Sequence, residues 1–163
     1  MLNPLDAPAA VEAAAEPLEE LLDDINHVVS VQLYPVVAVA ASGRDDIGKL
    51  VQAVLDAGYW RDEFGSVLSV LEPARSWREV VHRAATESGL MPWYQFVERT
   101  PDQIRQAGEL AYGIADLIES HLGPVRTAAE VAVVLANPGA LWTRQLLLVS
   151  DEWATVLHLR VDH

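Results

Sequence analysis

The sequence predicts an α+β fold that is predominantly helical, in which several amphipathic helices pack on a small, mainly antiparallel sheet with a C-terminal β-hairpin. Apolar residues recur at helical spacing in several segments. Val29, Val31 and Leu33 alternate with Ser30 and Gln32, which is the period of a strand. Two further strand-like runs flank the polar turn at 151–152. A chain of 163 residues is close to the usual size of one domain.

The N-terminus predicts an acidic, Ala/Pro-rich flexible arm over residues 1–16. Residues 1–26 hold seven acids and no base, and Pro4 and Pro8 interrupt the first turns. A single globular α+β domain follows over 17–163, and its first helix begins at Pro17 because proline suits the first helical position. We therefore expect the arm to contribute little to stability.

The next segments predict a strand and a helix. Pro35 follows the alternating run 28–34, and because proline lacks an amide donor it should mark an edge, a bulge or a break. Asp45 and Asp46 favour the start of a helix over 44–57, which carries one apolar stripe and ends at Gly58.

The middle of the chain predicts more helices. Residues 62–89 are expected to form two short helices divided by Pro73. Thr100 to Gln103 combine an N-cap, an N1 proline and a glutamine at N3, which predicts a helix over 101–122. Thr127 and Glu130 have the same spacing as a capping box and predict a short, nearly all-apolar helix over 128–136.

The C-terminal hairpin predicts an interface. Strand 145–150 has leucine or valine on both faces, so we expect both faces to be covered. The helices at 44–57 and 101–122 would cover one face, and the helix at 128–136 or a neighbouring molecule would cover the other. The second strand ends at residue 161, and its outer edge would expose amides and carbonyls unless something caps it. The predicted interface residues are Leu147, Val149, Trp153 and Val156.

Composition and motifs argue against several kinds of chemistry. The net charge of −13 and a single lysine disfavour nucleic acid and anionic membranes as partners. The sequence contains no cysteine. Glu79 and His82 have the i, i+3 spacing of a carboxylate-bridged metal pair, but such a site needs this motif twice and the sequence has it once. We found no nucleophile elbow, phosphate loop or dinucleotide fingerprint. We therefore predict no catalytic residue, no cofactor and no metal.

These observations favour a non-catalytic structural or adaptor subunit. It would act through a protein partner or as a homo-oligomer in a larger assembly, for example a virion-like one. We expect it in the cytoplasm or in a particle assembled there. One alternative is an enzyme or small-molecule-binding protein with a pocket near the aromatic segment 91–99, which contains Trp93, Tyr94 and Phe96. The segment from Trp77 to Gly89 resembles a helix of small, death-like modules in bacterial conflict proteins, which implies a second alternative, an interaction module.

Overall fold

A computed structural model describes residues 2–90 and 98–163. The described part contains a six-stranded antiparallel sheet in the order β1-β6-β5-β4-β3, with β2 also paired to β6. The helices are α1 (Ala7–Leu22), α2 (Ile47–Asp56), α3 (Trp77–Thr86) and α4 (Pro101–Leu122). The strands are β1 (Val28–Leu33), β2 (Val37–Ala38), β3 (Glu63–Val70), β4 (Thr127–Val134), β5 (Trp142–Val149) and β6 (Trp153–Asp162). No helix in these two ranges is long and apolar enough to cross a membrane.

The prediction of a predominantly helical fold is wrong, because the described residues are 43% helix and 28% strand. Two segments predicted as helices are the strands β3 and β4. The helix predicted over 128–136 from the capping-box spacing of Thr127 and Glu130 is wrong. Glu130 instead accepts hydrogen bonds from the Arg144 guanidinium at 2.9 Å. β4 pairs with β3 on one side and β5 on the other, so its Ala- and Val-rich run is buried within a sheet.

The predicted C-terminal hairpin is confirmed, but its second strand is not at an edge. β5 and β6 pair continuously from Trp142↔Val161 to Val149↔Ala154. On its other side β6 pairs with β1 and β2, which come from the opposite end of the chain. The outer edge of β6 is therefore capped by the N-terminal strands β1 and β2 and leaves no row of unpaired amides and carbonyls.

Pro35 marks a bulge, one of the outcomes predicted for it. Leu33 pairs with Leu157 and Val37 pairs with Ala154, so residues 34–36 lie opposite only two residues of β6. The bulge is fixed to β6 because Thr155 Oγ1 donates a hydrogen bond to the Tyr34 carbonyl at 2.7 Å, and the Tyr34 amide donates to Val156. Tyr34 is thereby held in one position beside β6.

Each face of the sheet has its own core. The face that we call the α1 face packs against α1, α3 and α4 through residues such as Val31, Leu146 and Leu157. The opposite face, the α2 face, packs against α2 through residues such as Leu147 and Val156. Successive residues of a strand point to opposite faces, so β6 contributes to both cores.

The segment predicted to be a flexible arm, residues 1–16, instead contains the first part of helix α1. It begins at Ala7, and Ala7, Val11 and Ala15 are fully buried in the core of the α1 face. These three residues are spaced four positions apart, and Leu18, three positions after Ala15, extends the same buried stripe of the helix. Alanine at this spacing allows the helix to lie close to its neighbours, so the Ala-rich residues 7–16 form a packed helix and not a flexible arm.

Helix α1 also protects an edge of the sheet. The Val31 amide donates to Glu19 Oε2 at 2.9 Å, and the Val29 amide donates to Asp23 Oδ1 at 2.7 Å. Both amides belong to β1, which has no strand on its outer side among the described residues. Two of the N-terminal acids therefore satisfy backbone donors that would otherwise be open to another chain.

We predict that Ala15→Asp lowers the free energy of unfolding by about 3 kcal/mol, because it places a carboxylate in a fully buried site. The control Ala13→Asp adds the same charge to an exposed position of the same helix and should change it by less than about 1 kcal/mol. Urea denaturation measures both values. Equal effects of the two substitutions would contradict the packing of α1.

Candidate functional site

Helix α2 covers only part of the α2 face, and the uncovered part is polar. β6 places His158 and Arg160 on this face, beyond the apolar residues that contact α2. Gln32 of β1 lies opposite His158, and Ser30 lies opposite Arg160. These four residues line the floor of a pocket of about 360 Å³. The polar floor distinguishes this region from both hydrophobic cores.

Two loops and the bulge form the walls of the pocket. The loop after α2 contributes Tyr59, Trp60 and Asp62, and the loop after β4 contributes Leu135 and Asn137. The bulge at Pro35 contributes Tyr34, whose ring centroid lies 5.9 Å from that of His158. Segments far apart in the chain therefore meet at one concave site.

Asp62 is the most buried acid of the pocket, with 6% of its surface exposed. Tyr34 Oη donates a hydrogen bond to Asp62 Oδ2 at 2.5 Å, and the Ala136 amide donates to Oδ1 at 2.8 Å. Burial, together with the bond to Asp62, raises the pKa of the Tyr34 hydroxyl far above its usual range. Tyr34 is therefore a neutral donor at physiological pH, and the two loops are joined through the Asp62 carboxylate.

Arg160 is engaged by neighbouring groups of the protein. Its Nε donates to both carboxylate oxygens of Asp162 at 2.9 Å, and Nη1 donates to the Asn137 carbonyl at 3.3 Å. The first contact neutralises the charge of Asp162, and the second ties the loop after β4 to β6.

His158 is a buried polar group without a protein partner at one nitrogen. It is 5% exposed, and its Nδ1 forms no hydrogen bond within the described part of the chain. Burial, reinforced by Arg160, lowers the pKa of His158 to about 4, so its ring is neutral at pH 7. Nε2 of Gln145, which lies opposite His158 in the sheet, is also unpartnered among the described residues. Such groups normally have a partner, since an unpaired buried polar atom is costly.

The four predicted interface residues do not form one surface. Leu147, Val149 and Val156 are buried beneath α2 on the α2 face. Because α4 packs on the α1 face, the prediction that the helices at 44–57 and 101–122 cover the same face is wrong. Trp153 is partly buried and packs against the core of the α1 face. An interface through the first three would require α2 to move. Self-association stays a prediction.

The predicted pocket near 91–99 falls largely outside the described residues, because Trp93, Tyr94 and Phe96 lie within 91–97. The pocket described above is formed by other residues, and Asp62 and Tyr34 were missed. The period-two spacing of Val156, His158 and Arg160 in the sequence is consistent with their shared face of β6. Nothing in the sequence indicated that Asp62 lies beside them.

Comparison with known proteins gave no match: no protein-family model, curated protein or solved structure matches this chain. Within residues 2–90 and 98–163, no group of three or more histidine, aspartate or glutamate side chains is placed to hold a metal ion. The pocket does combine a carboxylate, a neutral imidazole, a phenol and side-chain amides with an aromatic rim. Such a set can hold a small organic molecule through hydrogen bonds and ring contacts.

The lowered pKa of His158 predicts a pH-dependent stability. The unfolded chain binds this proton near pH 6.5 and the folded protein only near pH 4, so the free energy of unfolding falls as the pH drops between these values. By pH 4.5 the loss from this group should be about 2 kcal/mol.

Urea denaturation at pH 7.0 and pH 4.5 measures this loss. The variant His158→Gln should lose about 2 kcal/mol less than the wild type over this interval. The control His163→Gln removes an exposed histidine and should keep the wild-type dependence. An unchanged pH dependence in His158→Gln would show that His158 is not held neutral.

Proposed function

We propose that this protein binds a small polar organic molecule in the pocket between the uncovered part of the α2 face and the two loops. The observation that carries the proposal is the polar floor of this pocket, where Gln32, His158 and Arg160 stand in place of the aliphatic side chains that line the same face beneath α2. A cavity of about 360 Å³ lies within the usual range for sites of small ligands.

A purely structural role does not explain the polar floor. Beneath α2 the same face is lined by aliphatic side chains, which stabilise the fold by burial. An apolar residue at position 158 would extend that core without the penalty of an unpaired nitrogen. A ligand that forms a hydrogen bond with the His158 imidazole would explain why this position is polar.

The prediction from sequence of an assembly subunit stays a prediction. The outer strand β3 exposes Val67, Leu68 and Val70, and no charged residue lies between Glu63 and Glu72. Its pairing with β4 is also irregular at two places, and such bulges are typical of edge strands that avoid pairing with another chain. This edge therefore supports assembly less strongly than the pocket supports ligand binding.

The test is a thermal-shift screen in which a library of small metabolites is added to the wild type and to a variant whose pocket is filled by a larger side chain. Ser30→Phe places a ring on the pocket floor, and the control Ser66→Phe places the same ring on β3, outside the pocket. A ligand at 100 times its dissociation constant stabilises the folded protein by about 2.7 kcal/mol. We expect such ligands to raise the melting temperature of the wild type and of Ser66→Phe by several degrees, but not that of Ser30→Phe.

Two results would contradict the proposal. One is a library in which no compound stabilises the wild type. The other is equal stabilisation of Ser30→Phe and the wild type, because the ligand would then bind elsewhere.

A further inference from the structure

We infer that the ligand of this pocket is an organic cation, recognised by the Asp62 carboxylate and by the aromatic side chains of Tyr34, Tyr59 and Trp60. The inference rests on the proposed function and adds the chemical class of the ligand. It follows from the charges of the pocket, from its aromatic rim and from the charge of the whole protein.

The pocket has one negative charge without a cationic partner. Arg160 neutralises Asp162, and the His158 ring is neutral at pH 7. Asp62 receives hydrogen bonds only from neutral groups, and it takes part in none of the ion pairs formed by the described residues. A buried carboxylate is normally paired with a cation, so a positively charged ligand would supply what the protein does not.

Three aromatic residues line the pocket, and two of them are largely exposed to solvent. Tyr59 is fully exposed and Trp60 is 62% exposed, although large aromatic side chains usually bury most of their surface. Both line the pocket together with Tyr34. The faces of such rings attract ammonium groups, and the attraction grows when the cation is removed from water. The rim and the carboxylate therefore favour the same ligand charge.

The charge of the whole protein favours a cation as well. The chain has 24 acidic and 11 basic residues, which gives it a net charge of −13. Such a field raises the rate at which small cations reach the surface and lowers the rate for anions. A neutral ligand could hydrogen-bond to His158, but it would leave the charge of Asp62 uncompensated.

The experiment compares matched probes that differ only in charge. Choline is paired with 3,3-dimethylbutan-1-ol, in which carbon replaces the charged nitrogen, and tyramine is paired with 4-propylphenol. Binding is followed by NMR through the indole N–H of Trp60 and the ring signals of His158, assigned with Trp60→Phe and His158→Gln. We expect at least one cation to bind at least about tenfold more tightly than its neutral partner, which corresponds to about 1.4 kcal/mol.

Three variants identify the source of the preference. Asp62→Asn should weaken binding of the cation at least about tenfold and leave the neutral probe within about threefold. Trp60→Ala should weaken the cation by about threefold or more, and its exposed position makes it a second test if Asp62→Asn does not fold. The control Glu152→Gln removes an exposed acid outside the pocket and should leave binding unchanged.

The outcomes separate this inference from the proposed function. Neutral probes that bind as tightly as the cations would overturn the inference and leave the proposed function supported. Cation binding that does not change in Asp62→Asn and Trp60→Ala would also overturn it. If no probe shifts the pocket signals, the inference fails, and the thermal-shift screen with Ser30→Phe decides the proposed function independently.

Discussion

The pairing of β6 with strands on both sides is the constraint on which the rest of the structure depends. β5 precedes it in the chain, whereas β1 and β2 come from the N-terminal region, so the last strand joins both ends of the protein in one sheet. The core of the α1 face contains residues of both β1 and β6. The pocket likewise needs Gln32 and Ser30 beside His158 and Arg160. Loss of this pairing would therefore remove one core and the site together.

The pocket also follows from a difference in length between two elements. Helix α2 has ten residues and spans about 15 Å, whereas the ten residues of β6 span about 33 Å. One helix of this length can cover only part of the α2 face. The covered part contains Val156 and Leu147, and the side chains become polar at His158, where the cover ends. The change from apolar to polar residues on one face of β6 thus coincides with the opening of the pocket.

The sequence predicted correctly those structural features that depend on a few residues adjacent in the chain. The hairpin, the bulge at Pro35 and the capping box of Thr100 and Gln103 depend on local spacing, and all three are present. The strands β3 and β4 were missed because their pairing partners, not their own spacing, decide between helix and strand. The pocket was missed for the same reason, since Asp62 and His158 lie almost a hundred residues apart.

The most direct test is native-state hydrogen exchange in β6. The amides of successive residues in β6 point alternately to its two neighbouring strands, β1 and β5. The His158 amide therefore faces β1, and the Leu157 amide faces β5. If β6 is central, both amides exchange only through global unfolding, with protection that agrees within about tenfold and matches the denaturation free energy. If β6 were an edge strand, the His158 and Arg160 amides would exchange more than about a hundredfold faster than those of Leu157 and Leu159. That result would contradict the account.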